Sequence, residues 1–222
     1  MAISYDPLII TASIIALVVA ITCHEAAHGF VAFLFGDSTA KNHGRLTLNP
    51  LKHMDPLGTV LLPGFLLLSG APFVFGWAKP VPVAFHNLRP LRAGGFMVAL
   101  AGPATNIALA ILAALLIHKT VGESFAFQVL HLSVGVNTML AVFNLLPILP
   151  LDGGRMLGVC LPQRLARHFD KLEPYGFPII MFLFVLPEIS GFFGIHVDPL
   201  GDVLSQAYKL FTRGVLILSG HV

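Results

Sequence analysis

The sequence predicts an all-α polytopic membrane protein with four transmembrane helices, a re-entrant segment, a small membrane-associated β element and a further C-terminal helix. Three observations carry this. Of 222 residues, 56% are apolar and only 11% charged, and the mean hydropathy is +0.84, well outside the range of a soluble domain. Four apolar runs reach the roughly 20 helical residues needed to cross about 30 Å of hydrocarbon. The longest polar loop, Pro150 to Pro174, is too short to form a separate soluble domain.

The four runs are Leu8 to Phe35, Ala93 to Ile117, Ala126 to Leu149 and Tyr175 to Phe193. The first is not a cleaved signal peptide: Met1 to Pro7 carries Asp6 and no Lys or Arg, and the apolar run continues past Ile21, so a membrane helix that stays is expected. Leu57 to Gly76 is also apolar, but Pro63-Gly64 near its middle and Ser69-Gly70-Ala71-Pro72 near its end suit a segment that enters and turns back. Arg45 to Asn49 alternates and ends at Pro50, and Gly76 to Val83 is held extended by Pro80 and Pro82; both read as strand-like. Val203 to Leu218 interleaves Lys209 and Arg213 with apolar residues, which fits an interfacial amphipathic helix or a short further span. One membrane-embedded domain over residues 1–222 is expected, with a core at 8–155 and C-terminal helices at 175–218.

Charge and cysteine content narrow the function. The net charge of +2 is scattered through loops without a basic stripe, which excludes nucleic-acid partners. Cys23 and Cys160 have no disulfide or CxxC spacing and read as two free thiols.

His24-Glu25-Ala26-Ala27-His28 is an HExxH motif on the first predicted helix. One helical turn separates the imidazoles on one face, close enough to bind one zinc ion, with Glu25 beside them. Ionisable residues inside a hydrocarbon-spanning helix are costly and point to function. Zinc needs a further protein ligand and, for catalysis, an open position. Asp152 is the candidate, in Asn144-Leu-Leu-Pro147-Ile-Leu-Pro150-Leu-Asp152-Gly-Gly154, where the prolines stop a helix and the glycines allow a sharp turn; a solvated turn residue is the alternative.

HEAAH on one membrane helix and NLLPILPLDGG on a later one together resemble the site-2 protease family of intramembrane zinc metalloproteases. The similarity extends through Leu51 to Thr59, Phe75 to Val83 and Ala101-Gly-Pro-Ala-Thr-Asn106, covering roughly Leu17 to Arg155. No stretch resembles a PDZ or CBS module. The resemblance implies zinc held by His24, His28 and Asp152, with Glu25 as general acid/base. It also implies a transmembrane protein or signal-peptide helix as substrate, in the lipid bilayer of a prokaryotic plasma (inner) membrane. Asn144, two turns before Asp152, becomes a donor to the substrate backbone or the oxyanion, and Asn106 a second residue of that kind; both could instead be interhelical hydrogen-bond residues. His53 and Asp55 form an HxD pair between two prolines and read as turn structure.

A depth argument supports a shared metal. His24 lies about 24 Å along its helix from Leu8, and Asp152 about 39 Å along the chain from Ala126, so both are near their exit surfaces. They meet only if the two helices run in the same direction, with Leu57 to Gly76 not crossing. That topology divides the loop Lys and Arg residues ten to one between the two faces, against seven to four if the segment spans, placing the site near the cytoplasmic side. A membrane metal-ion transporter or sensor using the same His/His/Asp site is the alternative reading, and a membrane zinc hydrolase acting on lipids or prenylated peptides is a third. Oligomeric state is not legible.

Overall fold

A computed structural model describes residues 6–69, 76–122 and 124–220. Four long helices are apolar enough to cross a membrane: α1 (Pro7–Leu34), α4 (Leu91–Ile117), α5 (Phe125–Asn144) and α8 (Glu173–Phe192). Between them lie α2 (Thr39–Asn42), α3 (Leu62–Leu68), which continues a π-helical turn at Pro56–Leu61, α6 (Asp152–Cys160) and α7 (Gln163–Asp170), and the last helix is α9 (Pro199–Leu218). The protein is an all-helical integral membrane protein whose surroundings are the lipid bilayer.

The buried face of α1 is a row of small residues, Ala12, Ala16 and Ala20, that continues directly into His24. Leu8, Ile9, Ile14 and Leu17 on its other faces are exposed. In lipid no hydrophobic force joins helices, so close backbone approach through small side chains supplies the packing, and bulky residues face the hydrocarbon. α4 answers with Gly94, Gly95, Ala99, Gly102 and Ala110. The α4–α5 and α1–α4 interfaces are the most extensive. Asn106 near the middle of α4 meets Ala20 of α1 and Asn137 in the second half of α5. Ala110, Ala113 and Ala114 pack on Val134 and Leu130 nearer the start of α5. α4 therefore runs opposite to α1 and α5, which run in the same direction.

α9 lies lengthwise along the bundle. Its Leu200 and Leu204 pack on Val142 and Leu146 at the end of α5, and its Val215 on Ala110, Ala113 and Val134, with Ser219 beside His118. Its charged residues leave it outside the four helices apolar enough to cross a membrane.

Two expectations are corrected. Among the described residues there is no strand. Extended backbone at 76–83 makes no ladder, because Pro80 and Pro82 lack N–H groups and its remaining polar groups are taken by loops and side chains. Trp77 bonds to Gly58 and Thr59, Lys79 to His53 and the Arg45 guanidinium, and Val81 to Glu25. The stretch at 45–49 turns instead: Thr47 Oγ1 accepts from Asn49 N–H, and the Asn49 side chain caps the 3-10 turn at Pro50–Lys52. The expected re-entrant segment is likewise not supported. Pro56–Leu68 is one short helical stretch, about 20 Å long at 1.5 Å per residue, and residues 70–75 lie outside the described residues. His53 and Asp55 have the turn roles expected: His53 Nε2–H donates to Thr47 O, and Asp55 accepts from Leu57 and Gly58 N–H. Both cysteines are free.

Asp37 is fully buried and ties the end of α1 to the following loop. Its carboxylate accepts from Thr39 N–H and Oγ1–H, Ala84 N–H and Asn87 Nδ2–H. Burial by itself would raise the Asp37 carboxyl, but the hydrogen bonds from Thr39, Asn87 and Ala84 outweigh it and hold it below the usual carboxylate range. A depressed folded-state value means this stabilisation is complete above the unfolded value of about 3.9 and is lost as pH falls through the folded one. Asp37→Asn is expected to cost about 1–3 kcal/mol at neutral pH. In detergent melts, the gap from wild type should stay constant above about pH 5 and narrow in more acidic buffer.

Candidate metal centre

His24, Glu25 and His28 occupy the last third of α1, where its small-residue face meets α4. Asp152 opens α6, and its carboxylate at a helix N-terminus is favoured by the local dipole. The following two glycines allow that turn to sit where it does: a Cβ at Gly153 would strike Leu145 O, and one at Gly154 would lie 2.5 Å from the Ile148 carbonyl carbon. The turn after α5 thus folds back until the Asp152 carboxylate reaches the imidazoles of α1.

His24 Nε2 lies 3.2 Å and His28 Nε2 3.4 Å from Asp152 Oδ2, with the two rings edge to face at 4.8 Å between centroids. His24 and Asp152 are buried and the His28 side chain is 11% exposed. The opposite ring nitrogens are both occupied. His28 Nδ1 lies 2.7 Å from Val98 O and His24 Nδ1 2.6 Å from Asn106 Oδ1. A carbonyl oxygen can only accept, so Nδ1 carries a proton in both rings, and Nε2 is the nitrogen that each ring turns toward Asp152. Asp152 Oδ2 is buried with no hydrogen-bond donor. Burial would raise this carboxyl, but the two imidazoles outweigh it and hold it at about 2, so Asp152 is an anion.

Two imidazole nitrogens and a carboxylate oxygen turned toward one another fit a cation and match the donor set of a catalytic zinc site. For ligands about 2.0–2.1 Å from a tetrahedral ion, neighbouring donors lie about 3.3 Å apart, close to the two separations here. All three donor atoms lie within 4.8 Å of one another.

α4 builds the back of this site through the Gly-Pro-x-x-Asn stretch. A Cβ on Gly102 would lie 2.5 Å from Nε2 of both His24 and His28. Pro103 inside the helix removes one ladder hydrogen bond and loosens the turn, where the neighbouring Val98 carbonyl receives His28. Asn106 is fully buried: Oδ1 faces His24, and Nδ2 donates to Asn137 Oδ1 at 2.8 Å and to Ala20 O at 3.3 Å.

Glu25 does not point at the other three. Its Oε2 accepts from Val81 N–H at 2.8 Å, from the extended segment at 76–83. That segment is fixed by the buried Arg45, whose guanidinium donates to Lys79 O at 2.6 Å, and by an edge contact of Trp77 with Phe177 of α8. Asn144 is half-buried, and its Nδ2 donates to Leu140 O within α5; no described hydrogen bond joins it to the His–His–Asp group. Sequence reasoning missed Gly102, Val98, Val81 and Asn137. Gly102 stood within a motif read only for its asparagine; the Val98 and Val81 contributions are backbone atoms, invisible in side-chain identity.

Gly102→Ala should weaken zinc binding about 10- to 100-fold, matching the roughly 1–3 kcal/mol of overpacking a methyl group at the Nε2 atoms would cause. Alanine favours a helix over glycine, so the melting temperature of the metal-free protein should change little; chelator competition and thermal melts together separate the two effects.

Peptidase family M50 matches residues 118–187 of the chain. The chain is 40% identical over 183 residues to a Bacillus subtilis protein named "Putative zinc metalloprotease YwhC", covering 78% of this chain and 80% of that protein. It is 31% identical over 202 residues to "Putative zinc metalloprotease Rip2" of Mycobacterium tuberculosis, covering 90% of this chain and 76% of that one. No solved structure matches the chain. These similarities do not favour a metal transporter or sensor. The buried His–His–Asp donor set, seated between helices that cross the membrane, accords with them, and the chain belongs to peptidase family M50, the site-2 proteases, as a membrane-embedded zinc metalloprotease.

Proposed function

We propose that this protein is an intramembrane endopeptidase that cuts transmembrane proteins or signal peptides within or near their membrane segments. His24, His28 and Asp152 serve as the zinc ligands and Glu25 as the general acid/base, in one membrane-embedded domain. The observation that carries the reading is position: the donor atoms come from α1 and the start of α6 and are backed by α4. A peptide reaching them must therefore approach between membrane helices.

His24, His28 and Asp152 would hold the zinc, which would supply Lewis-acid activation of the scissile carbonyl and of water. Glu25 supplies the mobile proton acceptor: its carboxylate takes a proton from the attacking water and returns it to the leaving amine. The Val81 amide orients it from the side away from α4. His28 and His24 are held as neutral ligands by Val98 O and Asn106. Asn106 has both ends of its amide occupied, so we assign it to positioning His24 rather than to substrate. Asn144 remains our proposed donor to the substrate backbone or oxyanion; its Nδ2 would exchange Leu140 O for the substrate on rotating. A helical substrate has its carbonyls bonded within the helix, so it must unwind locally before hydrolysis.

The site lies at the end of the bundle where α1 finishes and α4 begins, joined by Arg89 N–H to Phe35 O. Lys41, Arg45, Lys52 and Arg155 belong to this end. We therefore place it near the cytoplasmic face of a bacterial plasma membrane, by the excess of basic residues on cytoplasmic loops.

The test pairs zinc content with cleavage of single-span peptides in liposomes. Wild type and Glu25→Gln should each bind about one zinc, with cleavage by the variant reduced at least about 10²-fold, the lower end of what general acid–base catalysis contributes. Chelation should abolish wild-type cleavage and added zinc restore it. Stoichiometric zinc without cleavage of any membrane peptide would overturn the substrate assignment. Inserting a helix-breaking Gly-Pro pair near the scissile bond should speed cleavage several-fold; equal rates would refute the need for unwinding.

A further inference from the structure

We infer that Asn137 of α5 is a positioning residue that, through Asn106, sets the ring tautomer in which His24 can hold a metal. The inference rests on His24 being a zinc ligand, as proposed above. Asn137 is buried (2% exposed) and touches neither His24 nor Asp152 in any described hydrogen bond.

The argument starts at a backbone oxygen. The Asn137 side chain lies 2.9 Å from Ser133 O, one turn earlier in α5. A peptide oxygen cannot donate, so the Asn137 atom facing it is the NH2 group and its other end is the carbonyl. That carbonyl lies 2.8 Å from the Asn106 amide, which must therefore present its NH2 group there. The remaining Asn106 atom is then an oxygen, and it lies 2.6 Å from His24 Nδ1. An oxygen in that place requires a proton on Nδ1, which leaves the Nε2 lone pair free toward Asp152 and a metal.

Each link is forced by the one before it, across three helices. A reversed Asn106 would place its NH2 group against Nδ1, move the ring proton to Nε2 and block coordination. Ala20 O at 3.3 Å opposes that reversal too, but at a longer distance than Asn137, so Asn137 is the stronger determinant. Asn106 and Asn137 have no described contact with solvent to take over this role, being 0% and 2% exposed.

The experiment uses full-length protein in nanodiscs labelled with 15N-histidine, stripped of metal by chelation. His24, assigned by the signal lost in His24→Gln, should show the Nδ1–H tautomer in wild type. Asn137→Leu, of similar volume, should shift His24 toward a tautomer mixture and weaken zinc binding about 10- to 100-fold in chelator competition. Asn137→Asp, whose buried carboxyl protonates and reproduces the donor and acceptor of the amide, should restore the tautomer and most of the affinity. If Asn137→Leu does not fold, Asn137→Ala is read the same way. Wild-type tautomer and affinity in the Leu or Ala variant would overturn the inference. So would weakened zinc binding with an unchanged tautomer, because packing alone would then explain it. Neither readout depends on cleavage, so an inactive wild type that keeps the tautomer effect would reject the peptidase assignment and leave this inference standing.

Discussion

Two imidazoles and a carboxylate face one another between membrane helices, and the structure around them serves to keep them so. In water such donors would take up protons or turn outward. Here Val98 O and Asn106 hold the ring protons on the far nitrogens, and Asp152 stays ionised against the rings. A cation bound at their focus would couple metal binding to the local packing of α1, α4 and α6.

The second demand is close approach. Lipid offers no hydrophobic gain for helix contact, so α1 and α4 meet through alanine and glycine, and the same economy reaches into the site. Gly102 lets both imidazoles approach the α4 backbone closely, Gly153 and Gly154 let the start of α6 nest on the turn behind it, and Pro103 loosens the ladder beside the carbonyl that receives His28. None of them is chemistry on the substrate.

The buried polar groups at the rim of the bundle are likewise engaged in order. Asp37 binds the loop at Ala84 to Asn87, Arg45 binds the carbonyls of Lys79 and Pro80, and Val81 between them meets Glu25. Arg45 and Asp37 therefore act on the site at a distance, by fixing the backbone whose amide donates to the Glu25 carboxylate. This same engagement explains why Gly76 to Val83 is extended without being a strand: its hydrogen bonds go to loop backbone and side chains, and Pro80 and Pro82 have no N–H to donate.

Much of this was legible from residue order. The HExxH spacing, the long apolar runs and the aspartate behind two prolines depend on periodicity and composition, which are local, and they predicted the four long helices, a His24–His28–Asp152 cluster able to hold a metal and the parallel course of α1 and α5. The tertiary structure alone decided the rest. Strand-like alternation at 45–49 was overridden by side-chain caps and turns, and Asn106 is engaged by His24, Ala20 and Asn137, from helices far along the chain. The amides and carbonyls of Val81, Val98 and Ser133 carry no signature in side-chain identity, since every residue has them; only packing chooses which ones face a ligand. Likewise, a sequence can show that His24 is able to bind zinc, but the ring nitrogen that does so is set by neighbours that folding brings beside it.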